Sequence, residues 1–129
     1  VDEPKRGEDG GGEGAAGGRL GEALLANRAL LDAVTGACRP GATGADLLDS
    51  WQSNGGGPLV EPLAWGAGLG VEAPLIGADL GRDAAIRAGA VLAVQSWTVH
   101  AGVGGILEQD VVSVGPEGPT VLTRARSGL

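Results

Sequence analysis

Residues 89–110 read Gly-Ala-Val-Leu-Ala-Val-Gln-Ser-Trp-Thr-Val-His-Ala-Gly-Val-Gly-Gly-Ile-Leu-Glu-Gln-Asp. The run Ala90–Val99 is rich in β-branched and apolar residues, and Ile106–Val114 is a second such run. Gly102–Gly105 between them is turn chemistry, so the stretch predicts two adjacent strands. Downstream, Gly115-Pro116-Glu117-Gly118 is a further turn and Pro119–Thr123 a short last strand. Upstream, Leu59–Trp65 is a strand candidate interrupted by Pro62.

The first half has a different period. Leu20, Leu24, Leu31, Val34 and Cys38 fall on one helical stripe, with Glu22, Asn27 and Arg28 largely off it. Arg39-Pro40-Gly41 stops that helix. Thr43 stands three residues before Asp46, an imperfect capping box in which Asp replaces the longer Glu. A short helix with Leu47, Leu48 and Trp51 as its apolar face follows, and Ser53–Pro58 is a loop. Two helices followed by an antiparallel meander predict an α+β fold, and no internal repeat is present.

The 129 residues suffice for one domain or part of one. Sixteen acidic side chains against nine basic ones give a net charge of −7, which argues against a nucleic-acid partner. The apolar fraction is ordinary, but it is built from small residues: there is no Phe, Tyr or Met, and Gly fills 26 positions. Such a core is thin, so a partner surface or a further chain segment is expected to complete it. One Cys excludes an internal disulfide framework. No apolar run is long enough for a transmembrane helix and no signal-peptide pattern opens the chain, so a cytoplasmic protein without membrane contact is expected. The chain starts at Val1, as a trimmed piece would.

Residues 1–18 are polar and Gly-rich and read as a flexible acidic linker or tail, leaving 19–129 as the domain. Gly12, Gly14 and Gly17 match G-x-G-x-x-G, but PKRGEDG cannot supply the strand that a dinucleotide fingerprint requires, so the match is read as chance.

Several segments together resemble the C-terminal part of the pita-bread metallopeptidases, the family of aminopeptidase P, prolidase, methionine aminopeptidase and creatinase. They are Arg39-Pro40-Gly41, Gly66-Ala67-Gly68-Leu69-Gly70, Glu72-Ala73-Pro74, Gly89–Ser96, Gly105–Asp110 and the closing Val121-Leu122-Thr123. The resemblance covers about residues 20–125 and is closest to the prolidase and aminopeptidase P branch. It implies two helices on a curved antiparallel sheet, one half of a domain that normally pairs two such halves. It also implies a dinuclear metal site held by two Asp, one His and two Glu, whose paired ions activate a water. The two Asp belong to a segment upstream of this chain. The other three ligand positions fall on Ala67, Gln95 and Gln109. Ala has no donor, and the neutral amide of Gln is a poor ligand for paired divalent ions. The family's second His has no counterpart, and the segment before Pro74 is about three residues shorter than the family pattern.

The expectation is therefore a catalytically silent fold without metal or other cofactor, keeping a degenerate pocket around Trp65, Ala67, Gln95, Trp97, Gln109 and Asp110. Trp65 precedes the turn where the family's pocket lies, and Trp97 takes a family Gly position, so its ring is expected in the vacated space. Glu108 is one residue out of register with the ligand and so on the opposite face of its strand. Glu61, Glu72, Asp79 and Asp83 read as solvated charge, Trp51 as helix packing, and Cys38 as a buried inert thiol. His100, the only His, is read as a solvated turn residue and is the one candidate for proton transfer.

Three functions follow for testing. The first is a silent domain that binds a partner protein or peptide, with a second chain or a homo-oligomer mate completing the fold. The second is an enzyme subunit with metal-independent chemistry on a small molecule. The third is part of an aminopeptidase P- or prolidase-like hydrolase completed by another chain, and the bland alternative to all three is a degenerate fragment with a scaffold role only.

Overall fold

The computed structural model describes residues 11–67 and 74–123. Within them two helices, α1 (Gly11–Gly36) and α2 (Gly44–Ser53), pack on one antiparallel sheet, the α+β arrangement expected. Its strands are β1 (Ala64–Gly66), β2 (Leu75–Ile76), β3 (Val91–His100), β4 (Gly104–Gly115) and β5 (Gly118–Val121), in the spatial order β2-β1-β3-β4-β5.

Helix α1 corrects the sequence reading at its start. It begins at Gly11, so residues 11–18, read as the end of a flexible linker, are helical. Adding residues to an existing helix is far cheaper than nucleating one, so α1 continues through glycines that intrinsic propensity disfavours. Gly12, Gly14 and Gly17 are helical positions and form no strand-to-helix turn. Residues 1–10 lie outside the described residues.

The buried stripe of α1 is also rotated from the one expected. Ala23, Asn27, Leu30, Leu31 and Val34 are buried, and Cys38 just beyond the helix continues their spacing. Leu20 and Leu24 are 44% and 41% exposed. A count of apolar residues misses a polar side chain that the sheet can satisfy, and Asn27 is such a residue.

Helix α2 starts as its sequence predicts. The Thr43 N–H donates to Asp46 Oδ2 at 2.8 Å, closing the capping box. Leu47, Leu48 and Trp51 are its buried face, and Ser50 Oγ donates to the Ala33 carbonyl at 2.9 Å, tying α2 to α1. The indole of Trp51 donates to the Gly57 carbonyl at 2.7 Å, so the largest core side chain leaves no polar atom unpaired. Gly44 lies against the Gly81 backbone so closely that a Cβ would overlap the Gly81 carbonyl.

In the sheet, β3 and β4 pair from Val91–Ser113 to His100–Gly104. Strand β1 begins only at Ala64, because Pro62 has no N–H to donate to a ladder. The two-residue β2 was too short to leave a sequence pattern. One face of the sheet carries Ala64, Ile76, Leu92, Val94, Val112 and Val114 into a core shared with Leu31, Leu47 and Trp51.

Two outcomes follow. Gly44→Ala is expected to lower stability by about 3 kcal/mol, read as a fall in the urea midpoint, because neither backbone segment can move aside. Burial pushes the Cys38 thiol from 9.0 up to about 12. Because the folded value is raised, its contribution to stability is whole below pH 9 and is lost as pH rises towards 12. Iodoacetamide at pH 8 should leave Cys38 unmodified in the native protein and alkylate it rapidly in denaturant.

Candidate functional site

Strand alternation sorts the expected site residues onto different surfaces. Gln95 and Gln109 are directly opposed across β3 and β4, on the face turned away from the helices. Trp65 shares that face, paired with Leu75 on one side and Ala93 on the other. Ala67 stands two residues beyond Trp65, and its N–H donates to the Val91 carbonyl at 2.8 Å. Gln95 is buried, and its amide Nε2 donates to the Pro62 carbonyl at 2.8 Å, while Gln109 is exposed. Leu75 and Leu107 are exposed on the same face, and Trp65 is half-buried. Gly68–Gly70, Glu72 and Ala73 lie outside the described residues.

Asp110 does not join this group. Its register partner is Val94, which puts it on the opposite, helix-facing side, where its carboxylate Oδ2 accepts from Arg28 Nη1 at 2.8 Å. The placement in the degenerate pocket is corrected for the same reason that excluded Glu108: one residue along a strand changes the face. Trp97, the register partner of Leu107, stays on the Gln95 face by alternation. Its ring lies 4.8 Å from that of Trp51, at a 43° tilt, and it lines a groove with His100. His100 Nε2 is 2.7 Å from Thr98 Oγ1. Five residues of strand, roughly 16 Å, separate His100 from Gln95.

The sequence reading missed a polar cluster between α1 and the sheet. Asn27 is 0% exposed, and its Nδ2 donates to Glu108 Oε1 at 3.0 Å and to the Ser96 carbonyl at 3.3 Å. Its Oδ1 accepts from Ser96 Oγ at 2.8 Å and from Thr98 Oγ1 at 3.2 Å. Arg28 forks across both carboxylates, with Nη2 donating to Glu108 Oε2 at 3.0 Å as well as Nη1 to Asp110. Thr123 Oγ1 donates to the other oxygen of Asp110 at 2.9 Å. The fork leaves Glu108 and Asp110 engaged in fixing α1. The one available signal was adjacency: Asn27-Arg28 mid-helix matched against Glu108 and Asp110 spaced two apart on a strand.

At the positions to which the resemblance carries a His and two carboxylates, the open face has a methyl group and two neutral amides, one held by Pro62, a donor set that does not fit paired divalent ions. Among the described residues, no group of three or more His, Cys, Asp or Glu is placed to hold an ion.

Two helices against one antiparallel sheet make an α+β fold similar to the C-terminal part of the pita-bread peptidases. Solved structures agree. The prolidase of Pyrococcus horikoshii OT3 matches with a TM-score of 0.65 at 21% identity, over 79% of this chain and 30% of that one. The dipeptidase PepE of Mycobacterium ulcerans matches with a TM-score of 0.60 at 25% identity, over 79% and 29%. The methionine aminopeptidase of Rickettsia prowazekii matches with a TM-score of 0.62 at 14% identity, over 81% and 52%. The chain thus spans about a third of the prolidases it resembles and half of the methionine aminopeptidase. No family profile and no curated protein sequence matches it. No helix among the described residues is long and apolar enough to cross a membrane.

The Asn27 and Arg28 contacts predict measurable losses. Asn27→Ala removes the Nδ2 donor to Glu108 and the Oδ1 acceptor of Ser96 and Thr98 and is expected to cost about 2 kcal/mol in urea denaturation. Arg28→Met removes the guanidinium that bridges the two carboxylates and is expected to cost about 3 kcal/mol.

Proposed function

We propose that this chain is a metal-free, catalytically silent peptidase-like domain that binds a partner protein or peptide. The observation that carries the proposal is the Gln95–Gln109 pair: two neutral amides face each other across β3 and β4, at the positions to which the resemblance carries the site's two carboxylates. A dinuclear site needs bridging anionic oxygens to offset the repulsion between its ions, and neither side chain carries a charge. Ala67 removes the remaining donor of this half. The face they occupy carries exposed Leu75 and Leu107 with half-buried Trp65, a mixture suited to contact with another polypeptide.

We further propose that a second chain or another copy completes the domain. The small-residue core and the uncovered sheet face support this reading. The position of His100 in the groove, apart from the two glutamines, favours binding over small-molecule chemistry shared between them. A single buried free thiol is consistent with a cytoplasmic setting.

The test is titration calorimetry with Mn²⁺ or Co²⁺, joined to an assay on Xaa-Pro dipeptides. No stoichiometric metal binding and no hydrolysis are expected. Hydrolysis that appears with added metal and disappears with EDTA would overturn the proposal.

A further inference from the structure

Strand β3 runs past its neighbour. Strand β1 pairs with Leu92–Val94 only, and the last backbone bond on that side is from Gln95 N–H to the Leu63 carbonyl at 3.0 Å. Strand β4 continues to pair with β3 as far as His100. The N–H and C=O groups of a strand alternate sides, so those of Trp97 and Val99 point outward like those of Gln95. Neither residue has a backbone partner on that side among the described residues.

A groove of about 650 Å³ runs along this bare edge. Trp97 and Val99 of β3 line it together with Gly57, Pro58 and Val60 of the loop before β1 and Leu30 of α1. Val60 and Val99 are both 83% exposed. Natural edge strands are blunted by charges, prolines or bulges, because a bare edge is a template for strand pairing. Ser96-Trp97-Thr98-Val99-His100 carries no Lys, Arg, Asp, Glu or Pro, and its ladder with β4 is unbroken.

We propose that this edge accepts an extended segment of a partner polypeptide as an added β-strand. The segment has alternating β-branched residues, for the Val60–Val99 groove, and basic residues at its flanks. The proposal rests on the partner-binding reading above and names where and how the partner docks. Backbone recognition follows because only another strand offers donors and acceptors at the spacing of the Trp97 and Val99 groups. The basic flanks follow from charge: the groove lining has no acidic or basic side chain besides His100, and the chain as a whole carries −7. Two copies at −7 each repel one another, whereas a basic segment is attracted to the chain.

The probe is a seven-residue peptide of alternating valine and threonine with lysine at each end. Added to the full chain, it should slow amide exchange at Trp97 and Val99 at least tenfold and leave the amides bonded to β4 unchanged. Val99→Pro removes one edge N–H and should weaken binding at least tenfold. Because proline at position 99 also perturbs β3, a peptide N-methylated on alternate amides is the companion: methylation in one register should abolish binding to the native chain and in the other should not. Unprotected Trp97 and Val99 amides, or binding indifferent to N-methylation, would overturn the proposal. Protection of these amides by self-association without peptide would also overturn it, in favour of a second copy. None of these results involves metal or hydrolysis, so failure here is distinguishable from failure of the silent-domain reading.

Discussion

The side-chain amide of Asn27 has two protons to donate and two lone pairs to satisfy, and all four find partners on β3 and β4. A buried amide that met apolar atoms instead would cost 1–3 kcal/mol for each unpaired group, on the order of the stability of a small domain. The contact therefore fixes how α1 lies across the sheet. Arg28 extends it by one residue, joining Glu108 and Asp110 at the helix-facing surface. With Ser96, Glu108 and Asp110 committed to α1, alternation puts Gln95 and Gln109 on the other face. The orientation of the open face is thus a consequence of a polar lock on the covered one.

Small residues shape the remainder. The close approach of Gly44 to Gly81 lets α2 sit against the loop before β3, where any larger side chain would clash. Gly56 approaches the Trp51 ring in the same way. Trp51 then supplies the volume that Phe, Tyr and Met supply elsewhere, and Trp97 tilts against it from the sheet. The core is closed by backbone proximity around one large ring. This explains how a chain with 26 glycines forms a definite interior and why that interior reaches only one face of the sheet.

Much of this was legible in the sequence. The two long strands, their Gly-rich turn, the Thr43–Asp46 cap and the buried face of α2 follow local patterns that the fold leaves intact. The resemblance to the pita-bread peptidases rested on the order of short motifs, and it singled out Gln95 and Gln109, which the strand register then sets directly opposite each other. What was hidden was non-local. Asn27 and Arg28 look like solvent residues until β4 is laid beneath them, and Leu20 and Leu24 look buried until the helix is rotated to suit Asn27. Asp110 was assigned by its neighbour in sequence, although a strand sends adjacent side chains apart. Strand β2, with two residues, has no pattern to read, and α1 extends through glycines that propensity alone would leave uncoiled.

The functional account turns on the amides of Gln95 and Gln109 and on an uncovered sheet that invites another polypeptide. Native mass spectrometry of the protein isolated from its source, without added metal, tests both together. The account predicts a complex heavier than the chain alone, containing a second polypeptide and no divalent ion. A species retaining two divalent ions would contradict it and return the open face to metallopeptidase chemistry.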